Sequence, residues 1–284
     1  MHPILIPIGD SFFIPSYGVM IALGVVVALL VASWRAKRVG VPSDDLYDLT
    51  TVAVLSGLLG GRVFFILQNW DDFLKAPAAM LFARDGFVFL GGLIGGIGSS
   101  WWFLRRRKIE PWVMGDLVAV GLPIAHAFGR IGCHLSGCCF GRECRPGWLA
   151  ITLKPEQRPD GELFYNAYLD QLLRDTIGPE AAESLPVYAV QLMESVGLFA
   201  LAATIAAIFW RKSGHPGAAF AAYLMGYSIL RFSLEFLRGD LARGVYFGGL
   251  ASTSQLISLG VFAGGAVLLA KRLKAPLVEF APKA

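Results

Sequence analysis

Seven apolar stretches of roughly twenty residues each recur along this chain, and they decide what it can become. A stretch of that length crosses the hydrocarbon of a bilayer as a helix, and in lipid only helices and closed barrels satisfy every backbone polar group. The runs cover about 16–36, 46–68, 86–105, 112–136, 188–210, 217–237 and 250–271. Of the 284 residues, 55% are hydrophobic and only 16% charged, well below the charge of a soluble domain. The chain therefore reads as an all-α polytopic membrane protein. Its fourth span is the least regular, because Pro123 and several glycines fall inside it. Met1–Phe13 lacks a basic start and the first apolar run is long enough to span, so no cleavable signal peptide is expected.

Charge in the connections sets the sidedness. Basic residues follow every odd span: Arg35, Lys37 and Arg38; Arg105, Arg106, Arg107 and Lys108; Arg211 and Lys212; Lys271, Arg272 and Lys274. The connections after spans two and six are mixed in sign, with Asp71, Asp72 and Lys75 in one and Arg238, Asp240 and Arg243 in the other. Positive charge stays on the cytoplasmic side, which puts the N-terminus outside and the C-terminus inside. Residues 1–136 then hold four spans, 137–186 form a small external α/β-like cap, and 187–284 hold three spans and a short cytoplasmic tail. Within the cap, Gly147–Leu153 suits a short strand and Leu163–Asp175 an amphipathic helix. The net charge of +4 lies mostly in these loops, so it reports orientation and gives no reason to expect nucleic acid.

Three arginines break the apolar pattern. Arg62, Arg130 and Arg231 each lie about six residues, or roughly 9 Å, inside the outer end of a span. A cation in a bilayer helix costs about 2.5–3.5 kcal/mol on insertion scales, so three at one level imply a buried anion, with lipid phosphate the commonest at that depth. Other unusual residues fall in the same outer half: Tyr17, Gly91, Gly92, Gln191, Glu194, Glu235 and Arg238. Arg238, near the helix end, suits snorkelling to the interface. Gly91 and Gly92 allow close helix packing and also the approach of a headgroup to the backbone. Glu235 follows Arg231 by four residues and is placed to pair with it. His126, Arg130 and His134 share the same spacing and form one stripe, which points to a chemical role for His126.

At this point the residues form a familiar pattern. Gly-Arg-Ile-Gly132, continuing through Gly137 to Gly141-Arg142, resembles the signature of the prolipoprotein diacylglyceryl transferases, bacterial inner-membrane enzymes. Pro-Ser-Tyr-Gly18, Gly-Gly-Arg62, Gly-Gly-Leu-Ile-Gly95, Gln-Leu-Met-Glu194 and Arg-Phe-Ser-Leu-Glu-Phe-Leu-Arg238 match in order along nearly the whole chain. The resemblance implies seven spans with an outer N-terminus and transfer of the diacylglyceryl group of phosphatidylglycerol to the cysteine thiol of a prolipoprotein signal peptide. Glycerol phosphate is the leaving product. It implies Arg130 and Arg231 as catalytic residues, with Tyr17, Arg62, Gly91, Gly92, Gly141, Arg142, Gln191, Glu194, Glu235 and Arg238 around the substrates. Membrane lipid surrounds the site, and no cofactor is called for. The chain departs from the pattern at Leu90, where the family usually has histidine, and at Cys133 and Cys138, where it usually has asparagine and glutamate. Proton handling then falls to His126, His134 or Glu194, or to the arginines alone through a lowered thiol pKa.

All four cysteines lie within Cys133–Cys144, on the expected outer side. A disulfide joining Cys144 to Cys138 or Cys139 is one expectation, and free thiols tightening the helix end are another. The spacing matches no familiar zinc pattern, so no metal is expected. Two rival functions use the same residues. A transporter or flippase would bind anionic lipid or solute at the arginine layer without chemistry, but no inverted repeat is visible. A thiol redox protein would use the cysteines, but Cys-x-x-Cys is absent from the chain.

Overall fold

A computed structural model describes residues 2–8, 12–82, 86–158, 161, 163–210, 213–239, 245–246 and 251–279. Among the described residues the helices are α1 (Ser16–Val39), α2 (Ser43–Gln68), α3 (Trp70–Lys75), α4 (Pro77–Phe82), α5 (Phe89–Arg107), α6 (Pro111–Ser136), α7 (Ala167–Leu173), α8 (Val190–Phe209), α9 (Ala218–Glu235) and α10 (Thr253–Arg272). Each of the seven apolar runs coincides with one of the long helices. Five of these, α1, α2, α6, α8 and α10, are long and apolar enough to cross a membrane. The other two are less apolar: α5 ends in Arg105, Arg106 and Arg107, and α9 carries Arg231 and Glu235. Arg211, Lys212, Asp240 and Arg243, used above for sidedness, lie outside the described residues.

The chain divides into two compact units, Met1–Ala32 with Asp116–Phe280, and Ser33–Gly115. In the second unit α2 packs on α5 through glycines. A Cβ on either Gly60 or Gly91 would lie 2.4 Å from the other's carbonyl oxygen, and one on Gly95 would lie 2.4 Å from that of Ser56. Small residues at such crossings let backbones approach where lipid offers no hydrophobic drive. The short helices α3 and α4 follow α2, a detail absent from the sequence reading. At the far end of α5, Arg105, Arg106 and Arg107 lie over Trp101, Trp102 and Phe103 at 4.5, 5.5 and 5.4 Å from the ring centroids, one turn back in each case.

In the first unit α6, α8 and α9 share a core of Ala119, Val120, Ile124, Ala202, Ile205 and Ala219. Contrary to the irregularity expected there, α6 is continuous through Pro123. The Asp116 carboxylate on α6 caps the start of α9, accepting from Gly217 N at 2.7 Å and Phe220 N at 3.0 Å. Without it, orphan donors of that helix end would stay buried unpaired. The N-terminal segment forms a hairpin of β1 (Ile4–Ile8) and β2 (Phe12–Pro15), a correction to an all-helical reading. Its short alternation before the first span is masked by the apolar run that follows.

The connection between α6 and α8 contains a small sheet of β3 (Ala150–Ile151) and β4 (Val187–Tyr188). Phe140, Leu153, Ala167 and Val187 form its apolar centre. Helix α7 is N-capped by Asn166, whose side chain accepts from Leu169 N at 3.1 Å. Two further strand pairs flank α9 and α10: β5 (Ser213–Gly214) with β8 (Val278–Glu279), and β6 (Val245–Tyr246) with β7 (Ala251–Ser252).

Candidate active site

Helical spacing by fours places the polar groups. On α6, His126 and Arg130 lie one turn apart; on α9, Tyr223, Tyr227, Arg231 and Glu235 form a single row. Helix α8 brings Gln191, Glu194 and Ser195 into the same interior, all buried. Glu194 is fully buried and bridges two groups of α6. Its Oε2 lies 3.0 Å from Arg130 Nε, and its Oε1 lies 3.7 Å from His126 Nε2. Ser195 donates to the carbonyl of Ala127 at 3.1 Å and locks α8 against α6 at this level.

The second arginine is held separately. Arg231 Nη2 lies 2.7 Å from Glu235 Oε2, as the spacing predicts, and donates to Ser254 Oγ at 3.0 Å. The two arginines are linked through shared neighbours: Arg130 and His126 share Glu194, and the His126 ring faces Tyr227, one turn before Arg231. The Tyr227 ring stands 5.3 Å from the His126 ring and stacks on Tyr223. Tyr17 on α1 falls within the field of Arg130. His134 joins neither ion pair.

Gly141 and Arg142 thread between two distant parts of the chain. Gly141 N donates to Tyr188 O at 2.9 Å, Tyr188 N to Arg142 O at 3.1 Å, and Arg142 N to Leu237 O at 2.8 Å. A Cβ on Gly141 would lie 2.6–2.8 Å from Tyr188 and the Leu237 carbonyl, so only glycine passes here. Arg238 pairs with Gly141 as an isolated bridge.

Arg62, Gly91 and Gly92 belong to the other compact unit. There the Arg62 guanidinium donates to the carbonyls of Gly86 at 2.9 Å and Leu81 at 3.2 Å and lies 5.1 Å from the Phe87 ring centroid. Gly91 and Gly92 face α2 in the helix crossing.

The cysteines are all free, so the expected disulfide is absent. The strand-like pairing of Glu143 with Val187, with Cys144 N donating to Pro186 O at 2.9 Å, carries Cys144 away from the others. Cys133, Cys138 and Cys139 instead meet, their Sγ atoms all within 4.8 Å of one another; no other such group of metal-ligating side chains occurs among the described residues. Gln191 Nε2 donates to Cys138 O at 2.7 Å and fixes this turn to α8. Hydrogen bonds from Cys133 and Cys138, with the charges of Arg238 and Arg130, lower the Cys139 thiol pKa against the opposing effect of burial. Hydrogen bonding to the same neighbours raises that of Cys138.

Sequence reasoning missed Tyr223, Tyr227 and Ser254, and weighed Cys139 only as a disulfide partner or a free thiol. The tyrosines had a signal, since they continue the Arg231–Glu235 row backwards by fours. Ser254 had none, because it acts across helices.

This fold and site define a class: a helical membrane protein with two buried, carboxylate-paired arginines around a histidine. Residues 3–271 match the family model described as prolipoprotein diacylglyceryl transferase, and the chain belongs to that family. It is similar to the phosphatidylglycerol–prolipoprotein diacylglyceryl transferase of Clostridium tetani, 31% identical over 91% of this chain and 93% of the relative. The enzyme named transferase 2 of Clostridium perfringens is 34% identical over 89% of each chain, and the Aeromonas salmonicida transferase is 32% identical over 92% and 86%.

Proposed function

We propose that this chain transfers the diacylglyceryl group of phosphatidylglycerol to the lipobox cysteine of prolipoprotein signal peptides. The observation that carries the reading is the arrangement around His126, which shares Glu194 with Arg130 and faces Tyr227 one turn from Arg231, each arginine being anchored by its own buried carboxylate. Two fixed guanidinium groups suit a phosphodiester that must leave as glycerol phosphate. They hold the ground-state anion and stabilise the second charge that develops as the carbon–oxygen bond breaks. The acceptor thiol must lose its proton to attack, and we assign His126 the role of base, with Glu194 holding its ring.

Placement follows from the charge pattern. We infer seven spans, α5 and α9 included, with the N-terminus and the 137–186 cap outside the inner membrane and the C-terminus in the cytoplasm. The arginine pair then opens toward the outer leaflet, where both substrates reside. Tyr17, Gly141, Arg142, Gln191 and Arg238 line the lipid and peptide sides.

The test is a transfer assay with headgroup-intact, acyl-labelled phosphatidylglycerol and a peptide carrying a lipobox cysteine. Label on the peptide together with released glycerol phosphate supports the reading. Leaflet exchange of the lipid without peptide labelling would replace it with transport.

A further inference from the structure

The thiol group gathered around the last turn of α6 has no part in the function proposed for the arginines. Its three sulfurs lie within 4.8 Å of one another. Around a tetrahedral zinc ion at about 2.3 Å each, sulfurs stand roughly 3.8 Å apart, so a closure of about 1 Å would seat the ion. Adjacent residues do not ordinarily aim their side chains at one point. Cys139 does so by adopting a left-handed backbone, φ 59°, two residues after Gly137 at φ 79°. A cysteine gains nothing from that conformation in itself. Thiolates here also face the positive charges of Arg130 and Arg238, which offset the net negative charge of a divalent ion held by three of them. Cys144 lies outside the group, so among the described residues three ligands are offered and a tetrahedral ion keeps one position open. Three ligands with an open fourth is the arrangement of catalytic zinc, whereas structural zinc is closed by four.

We propose that Cys133, Cys138 and Cys139 bind one zinc ion whose fourth position takes the acceptor cysteine of the signal peptide as its thiolate. This rests on the transferase reading. The acceptor thiol displaces a water from zinc, and its proton passes along a chain of waters to the base His126. The zinc-bound sulfur then gives an electron pair to the glyceryl carbon next to the phosphate. A carbon–sulfur bond forms, the carbon–oxygen bond breaks, and its electron pair leaves on glycerol phosphate held by the arginines. The product is a neutral thioether, a weak zinc ligand, so it departs and water returns. No oxidation state changes. A metal-bound thiol is deprotonated outright at neutral pH, which makes the nucleophile available before lipid arrives.

The experiment uses the full chain in detergent. Zinc is counted after purification, then exchanged for Co2+, whose sulfur-to-metal absorption reports each coordinated thiolate. One metal per chain is expected, retained in Cys144→Ser and lost when Cys133, Cys138 and Cys139 are all changed to Ser. A lipobox peptide with cysteine should strengthen the Co2+–sulfur band, while the same peptide with serine leaves it unchanged. Chelator-stripped wild-type protein should lose transfer by about 100-fold and regain it with zinc. This arm holds even if the triple variant misfolds. Failure of the protein to take up metal, a cobalt spectrum blind to the cysteine peptide, or full transfer by stripped protein would each overturn the zinc inference. Transfer by stripped protein leaves the transferase reading standing. Metal uptake and a peptide-sensitive cobalt band without any labelled peptide instead refute the transferase reading and keep the thiol-binding metal site.

Discussion

Glu194 of α8 and Arg130 of α6 meet at 3.0 Å in the interior, and Glu194 has no solvent exposure. Removing one partner of such a pair leaves the other charge buried without compensation. Glu194→Ala should lower stability by about 3 kcal/mol, and the double variant Glu194→Ala/Arg130→Ala by clearly less than the sum of the singles. Unfolding midpoints in detergent measure this, and strict additivity would show that the pair is not coupled.

Charge alone does not reproduce the arginines. Lysine cannot offer the planar fork that keeps one edge on a carboxylate and presents the other to phosphate. Arg130→Lys and Arg231→Lys should each reduce transfer by about 10²–10³-fold. Unchanged solubility and unfolding midpoint would assign that loss to phosphate handling, whereas normal turnover would refute the clamp.

His126→Gln should slow transfer by about 10²-fold or more and flatten the acid limb of the pH–rate profile. Replacing the acceptor peptide by one already carrying a thiolate surrogate of lower pKa should recover part of the rate. An unaltered profile would move the proton to another acceptor.

Stripped of metal, the protein should be alkylated by iodoacetamide at Cys139 even at about pH 6, below the ordinary thiol range. The lowered pKa keeps this sulfur charged as protons become more abundant. Cys144, pushed up by burial, should lose reactivity over the same interval. Peptide mass mapping after brief labelling distinguishes the two, and equal decline at both sites would contradict the charge placement.

The crossing of α2 and α5 offers a test of packing read from unfolding midpoints alone. Gly91→Ala puts a methyl 2.4 Å from the Gly60 carbonyl, while a Cβ on Gly98 meets nothing within 4 Å. The first change should cost about 1–3 kcal/mol by forcing the helices apart, and Gly98→Ala should cost none. Equal midpoints for the two variants would mean the helices separate freely.

How much of this was legible in the residues depends on the range of the interaction. Helix positions follow from apolar runs, and the run read as 46–68 becomes Ser43–Gln68. Pairs on one helix follow from spacing, so Arg231 with Glu235 was readable. The union of Glu194 with Arg130 was not, because periodicity says which face a residue occupies and nothing about which neighbour it meets. The hairpin at Ile4–Pro15 was hidden by its own apolarity. The gathering of three sulfurs depended on a left-handed Cys139, a conformation for which cysteine carries no preference.

The threading of Gly141 and Arg142 between Tyr188 and Leu237 has a consequence in time. A ribosome delivers residue 237 almost a hundred positions after residue 142, so this segment has nowhere to settle until the penultimate long helix has been made. A nascent chain halted before that point displays Arg130 without its surroundings complete. The surroundings of Arg130 are thus finished only in the closing stage of synthesis, after α9 has been made.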